Sequence, residues 1–176
     1  MAASADDEGA AAETWPEFER RWGELRNFLV GGEVVRSFGG FPMPPLERII
    51  EEVRAEPTTV FRSGVKQAAF DLTDVSSEFR ALPVGEAVRS RFILAHFDLQ
   101  ASFGGPGGVF EGLEEVWGEP WREQLRRRGF TFDRVFSILF AAGPHSATNY
   151  HMDYTHQLAW QHYGEKTWHG LVSPDS

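Results

Sequence analysis

Residues 130–142, FTFDRVFSILFAA, are rich in β-favouring residues and mostly apolar. A short apolar run of this kind reads as a buried strand, and a buried strand needs a core around it. The composition can supply one. Of 176 residues, 41% are hydrophobic, with 15 Phe and 6 Trp, which excludes a chain that is disordered throughout. The length fits one domain, or a domain with a small extension. No apolar run approaches the ~20 residues that a bilayer-spanning helix needs. The opening MAASADDEGAAAE is acidic and lacks an apolar signal core, so residues 1–13 are read as a disordered tail and the protein as cytoplasmic.

Helices and strands alternate ahead of that strand. Residues 14–29 read as a helix. Thr14 caps it, Pro16 suits its first turn, and Glu17 completes a capping box, with Trp15, Phe18, Trp22, Leu25 and Leu29 on one stripe. Gly31 and Gly32 end that helix, and residues 33–38 look β-like. Residues 45–55 predict a second helix with Leu46, Ile49, Ile50 and Val53 inward. TTVFR and QAAFDL, within 58–72, are strand-like, 83–91 is a short helix, and 91–100 is a strand. SFGGPGG at 102–108 is a flexible loop that divides the chain most clearly, though the segments on either side need not be separate domains. Residues 113–128 form another helix, ended by Gly129.

The formal charge of −9 argues against a nucleic-acid partner, since the one compact basic run, Arg126-Arg127-Arg128, sits beside Glu119 and Glu123 and reads as a solvated helix face. The absence of cysteine excludes disulfides, thiolate zinc sites and a cysteine nucleophile. Any metal would be held by histidine and carboxylate.

Five of the 6 histidines, His145, His151, His156, His162 and His169, follow the apolar strand. Within them stands His151-Met152-Asp153. On a strand, residues i and i+2 share a face, so an imidazole and a carboxylate converge there without backbone distortion. That pair suits part of a 2-His-1-carboxylate triad, which leaves positions open on Fe(II). His-x-Asp alone is a weak signal, and a second copy, His96-Phe97-Asp98, reads as structural. The copy at 151 has better context. A strand over 157–163 and a turn at Gly164-Glu165 form a hairpin that carries Lys166 back towards His151. A lysine facing a cavity needs an anionic partner.

The ordered run Thr148, His151, Asp153, Gln157, Gln161, Gly164 and Lys166, spaced T-x-x-H-x-D-xxx-Q-xxx-Q-x-x-G-x-K, resembles the JmjC/cupin-like 2-oxoglutarate oxygenases, asparagine-hydroxylase-like branch. The likeness is specific over 137–174, including Pro174, and general upstream. It implies an α+β protein: helices and strands over 14–130 packed on an incomplete double-stranded β-helix, or jelly-roll barrel, begun by 131–176. It implies that His151 and Asp153 bind Fe(II), and that Thr148 and Lys166 bind the distal carboxylate of 2-oxoglutarate. Gln157 takes the co-substrate position where the family usually has asparagine. The implied reaction oxidises a C–H bond of a protein or small-molecule substrate while 2-oxoglutarate and O2 become succinate and CO2.

The family's third metal ligand is a histidine several strands further on. His156, His162 and His169 are too close to Asp153 to take that place. Three resolutions follow: a fragment or shortened form of a longer oxygenase, which is favoured; a barrel completed by a second chain or by self-association; or a non-catalytic cupin-like binding module that keeps the motif. A zinc or manganese cupin enzyme is a further reading, and the Thr148/Lys166 pair argues against it.

Overall fold

A computed structural model describes residues 10–24, 27–56, 60–63, 72–148 and 156–167. The chain forms two compact units. Helices and strands together match the general expectation of an α+β protein, and the only sheet among the described residues is a four-stranded antiparallel one in the second unit.

The first unit draws on Met1–Phe41, Glu115–Asp133 and Glu165–Ser176. Its helix α1, Trp15–Trp22, starts as the capping box predicts: the Glu17 carboxylate accepts from the backbone N–H of Glu13 at 2.9 Å and of Thr14 at 3.1 Å. These two hydrogen bonds hold the Glu17 carboxyl below its ordinary value. The helix is shorter than its apolar stripe. It stops at Gly23, and Leu29 is 68% exposed rather than core. The chain then returns past its own start. Ala12 N–H donates to Leu29 O and Gly31 N–H to Ala12 O, making a parallel bridge between Ala12 and Val30. Within the expected tail, residues 10–13 are therefore described and Ala12 is buried.

Residues 33–38 do not form the expected strand. Helix α2, Gly32–Arg36, occupies them. Val34 and Val35 favour strands, but tertiary contacts override that preference. Glu33 accepts from Trp15 N–H at 2.8 Å, Glu33 N–H donates to Glu13 O, and Val34 is fully buried. Gly32 has φ +49, and a Cβ there would lie 2.4 Å from Glu13 O, so only glycine fits. Helix α7, Glu119–Arg127, carries Trp121, whose ring lies 5.5–6.3 Å from those of Trp15, Phe18, Trp22 and Phe38. The Arg128 guanidinium sits 3.9 Å over the Trp15 ring and pairs with Glu19 at 3.1 Å. A turn of π-helix, Glu114–Gly118, precedes α7 where one continuous helix was expected.

The second unit comprises Pro42–Glu114 and Arg134–Gly164. Helix α3, Leu46–Val53, buries Ile49, Ile50 and Val53 as its spacing predicts, each such side chain contributing about 1.5–3 kcal/mol relative to exposure. Strands β1 (Val60–Ser63), β2 (Leu72–Asp74), β3 (Ile93–Phe97) and β4 (Ile138–Ala142) form one open sheet, ordered β2-β1-β3-β4. Three short helices punctuate it: α4 (Ser76–Ala81), α5 (Val84–Ala87) and α6 (Leu99–Phe103).

Register decides the two faces. Val60 lies opposite Leu94, and Leu94 opposite Ala141; Val60 and Leu94 are fully buried. On the other face Phe61 lies opposite Ile93, Ala95 opposite Phe140 and Phe97 opposite Ile138. Phe97 is 60% and Phe140 57% exposed there. Strand β4 is thus shorter than the apolar run 130–142, and that run is not fully buried.

The glycine-rich loop at 102–108 does not separate the two units. Phe103 and Phe110 on either side of it are buried in the same unit, and Phe110 N–H donates to Phe103 O. Val109 N–H also donates to Glu52 on α3 at 3.1 Å.

Candidate functional site

Strand β4 leads towards the motif. Gly143 N–H donates to Phe92 O at 2.9 Å, which extends the β3–β4 pairing by one bond. A Cβ on Gly143 would lie 1.9 Å from Ser90 O, so the position requires glycine. The chain then turns: Ser146 N–H donates to Gly143 O at 3.3 Å, across Pro144 and His145. His145 has φ +58. Proline followed by a positive φ is the pattern of a type II turn, and a side chain at the second position is uncommon. The turn delivers an exposed Thr148.

His151 and Asp153 lie outside the described residues, as does His169. Gln157 is described and exposed. Over 156–163 the burial alternates at Leu158 and Trp160, which are half-buried between exposed neighbours. That is the period-two pattern of a strand, but the strand expected over 157–163 is not formed among the described residues. The physical reason is that alternation needs a partner ladder to become a strand, and the described residues offer 157–163 none.

The expected turn is present in part. Gly164 has φ +68, and Gln161 Nε2 donates to Tyr163 O at 2.6 Å just before it. No hairpin ladder accompanies the turn among the described residues. Tyr163, expected at the end of a strand, is an anchor instead. Its hydroxyl donates to Pro44 O and lies 3.5 Å from Met43 O. Nothing in the local spacing marks it, because the contact joins segments far apart in sequence.

Lys166 is exposed, and the desolvation it still feels from neighbouring groups lowers its ammonium below the ordinary value. Partial burial likewise lowers His162. Thr148 and Gln157 belong to the second unit and Lys166 to the first. Among the described residues, no group of three or more His, Asp or Glu side chains is placed to hold a metal ion. That set does not contain His151 or Asp153.

The second His-x-Asp serves local structure. His96 Nε2 lies 2.9 Å from Ser102 Oγ, and its ring packs 4.8 Å from that of Phe103. Asp98 falls beyond β3 with φ 61, caps α6 by accepting from Ala101 N–H, and pairs with Arg134. Strand geometry therefore does not make the two side chains share a face.

Among the described residues, no helix is long and apolar enough to cross a membrane. Comparison with protein-family models, curated proteins and solved structures finds no match.

Proposed function

We propose that this chain carries the Fe(II)- and 2-oxoglutarate-binding part of an oxygenase of the JmjC/cupin-like type, built on a double-stranded β-helix. The observation that carries this reading is the ordered spacing of Thr148, His151, Asp153, Gln157 and Lys166 behind an apolar strand. The donor chemistry fits the group: an imidazole and a carboxylate suit Fe(II), and further positions stay open for co-substrate.

In this reading His151 and Asp153 hold the metal. Thr148 and Lys166 bind the far carboxylate of 2-oxoglutarate, one by hydroxyl donation and one by charge, and Gln157 offers an amide nearby. The bound iron supplies activation of O2, with substrate C–H oxidation coupled to formation of succinate and CO2. The protein's own part is to orient the co-substrate and exclude water.

The test is anaerobic titration of the chain with Fe(II), then with 2-oxoglutarate. The expected result is metal binding followed by metal-dependent co-substrate binding. Absence of both at millimolar ligand overturns the proposal.

A second reading, a non-catalytic interaction module, is favoured by the exposed face that carries Phe97 and Phe140. Saturable binding of a protein partner, with no affinity for Fe(II), would select it.

A further inference from the structure

We infer that a recess between β1, α4 and the approach to β3 is a binding site for a small monocarboxylate, gripped by the Arg91 guanidinium. The inference uses none of the motif residues and stands apart from the oxygenase reading.

The recess lies wholly within the second unit. Val75, Phe79 and Leu82 supply its apolar lining, and Arg62, Glu78 and Arg91 its charged lining. It encloses about 170 Å³ and opens to solvent. Pockets for a whole drug-sized ligand have about 300–1,000 Å³. This one therefore suits a molecule of a few heavy atoms, with Leu82, half-buried, as the apolar surface still open beside it.

Charge selects the ligand class. Arg62 Nη2 already donates to Glu78 at 2.9 Å. Arg91 has no such partner. Among the described residues no acceptor reaches its buried Nε, and no carboxylate pairs with its guanidinium. Two guanidiniums against one carboxylate leave the lining with one positive charge in excess. A buried donor without an acceptor and a cation without a counterion are both unfavourable, and one monoanion answers both. A dianion would exceed the charge available and face Glu78. The planar guanidinium presents Nε–H and one Nη–H as a fork that matches a carboxylate. Turning the head of Arg91 into the opening brings that edge to the ligand.

The backbone around Arg91 is fixed in advance. Phe92, the next residue, is 2% exposed, and its ring lies 4.7 Å from that of Phe79. On the other side the Ser90 carbonyl packs against Gly143, where no side chain fits, and the Ser90 hydroxyl donates to Ala87 O at 2.7 Å. A held backbone with an unengaged cationic head is the preorganised arrangement that lets a small anion bind without ordering the chain.

The test titrates sodium butyrate into the full chain without Fe(II), against sodium chloride at matched ionic strength. NMR follows the Arg91 Nε–Hε resonance, and thermal unfolding follows stability. Expected is a saturable shift at millimolar butyrate that chloride does not reproduce. Arg91→Gln should weaken binding about 10-fold or more at unchanged Tm. Arg62→Gln leaves Glu78 uncompensated beside the recess and should weaken it too. Where Arg91→Gln fails to fold, Arg91→Lys takes its place: it keeps the charge without the fork, and about 3- to 10-fold weaker binding is expected. A flat titration to about 100 mM, the same saturable shift with chloride, or wild-type affinity in the folded Arg91 variant overturns the inference. None of these outcomes involves Fe(II) or the motif residues, so the oxygenase reading stands or falls separately.

Discussion

Asp74 accepts two hydrogen bonds from Ser76 on the same oxygen, from the backbone N–H at 2.8 Å and from the hydroxyl at 2.6 Å. The Ser76 hydroxyl oxygen in turn accepts from Val60 N–H at 2.9 Å, inside the core. One hydroxyl thus ties the end of β2, the start of α4 and the start of β1. Ser76→Ala leaves the Val60 N–H buried and unsatisfied. The expected loss is about 1–3 kcal/mol, read by urea unfolding. Loss below a few tenths of that range would mean that another acceptor reaches Val60.

The same pair gives a pH dependence. The Ser76 hydroxyl, followed by the Ser76 N–H, holds the Asp74 carboxyl below its ordinary value. A carboxyl lowered in the folded state contributes stability above its unfolded pKa of about 4, and loses it as the pH falls through the folded value. Asp74→Asn lacks that titration. The stability advantage of wild type over Asp74→Asn should be constant near neutrality and shrink below about pH 4. Unfolding free energies measured from pH 7 to strong acid check this; a difference that stays constant throughout refutes it.

Phe18 is fully buried and meets Trp15, Trp22, Phe28 and Trp121 at ring distances of 5.0–5.8 Å. Phe18→Ala should destabilise the first unit by about 3–5 kcal/mol. Tryptophan fluorescence is the direct measurement, since three indoles line the ring that is lost.

Gly143 sits at the junction of sheet and motif. An added methyl would meet Ser90 O at 1.9 Å and Phe92 Cδ1 at 2.9 Å. The backbone at Ser90 cannot yield as a flexible side chain can, so Gly143→Ala should cost about 1–3 kcal/mol. At this chain length that is a fall in Tm of about 2–12 °C. An unchanged Tm would show that the turn over 143–146 shifts without strain.

These cases also show what sequence patterns can carry. Helix α3 was legible because an apolar stripe at helical spacing and a preceding proline agree with its packing. The capping box was legible because it is local. Helix α2 was not: Val34 and Val35 favour a strand, and the contacts that impose a helix come from Glu13 and Trp15. The loop at 102–108 reads as flexible because of its glycines, and the burial of Phe103 and Phe110 on either side, which no local pattern predicts, closes it. Over 157–163 a strand was expected, but a strand is a property of two segments and no partner appears among the described residues. Of the motif positions, Thr148, Gln157, Gln161, Gly164 and Lys166 are among the described residues, all exposed. The anchor at Tyr163 depends on Pro44, which no local reading of the motif reaches.

The assignment of separate roles to Asp153 and Lys166 makes the sharpest test of the chemistry. A carboxylate that binds metal and an ammonium that binds the co-substrate's far end act on different ligands, so their loss should be separable. Asp153→Ala should abolish Fe(II) binding, and with it the metal-dependent part of 2-oxoglutarate binding. Lys166→Ala should leave Fe(II) affinity unchanged and weaken 2-oxoglutarate by about 10- to 100-fold, as expected for one charged hydrogen bond of about 1.5–3 kcal/mol. Lys166→Arg keeps the charge but alters its reach and geometry, and should fall between the two. The lowered Lys166 ammonium adds a sign: an anion beside it favours the charged form, so bound 2-oxoglutarate should raise its pKa back towards the ordinary value. Calorimetry in buffers of different ionisation enthalpy at alkaline pH would register proton uptake on binding. Fe(II) and 2-oxoglutarate affinities that fall together in both alanine variants would reflect damaged folding and remove the support for this division of labour.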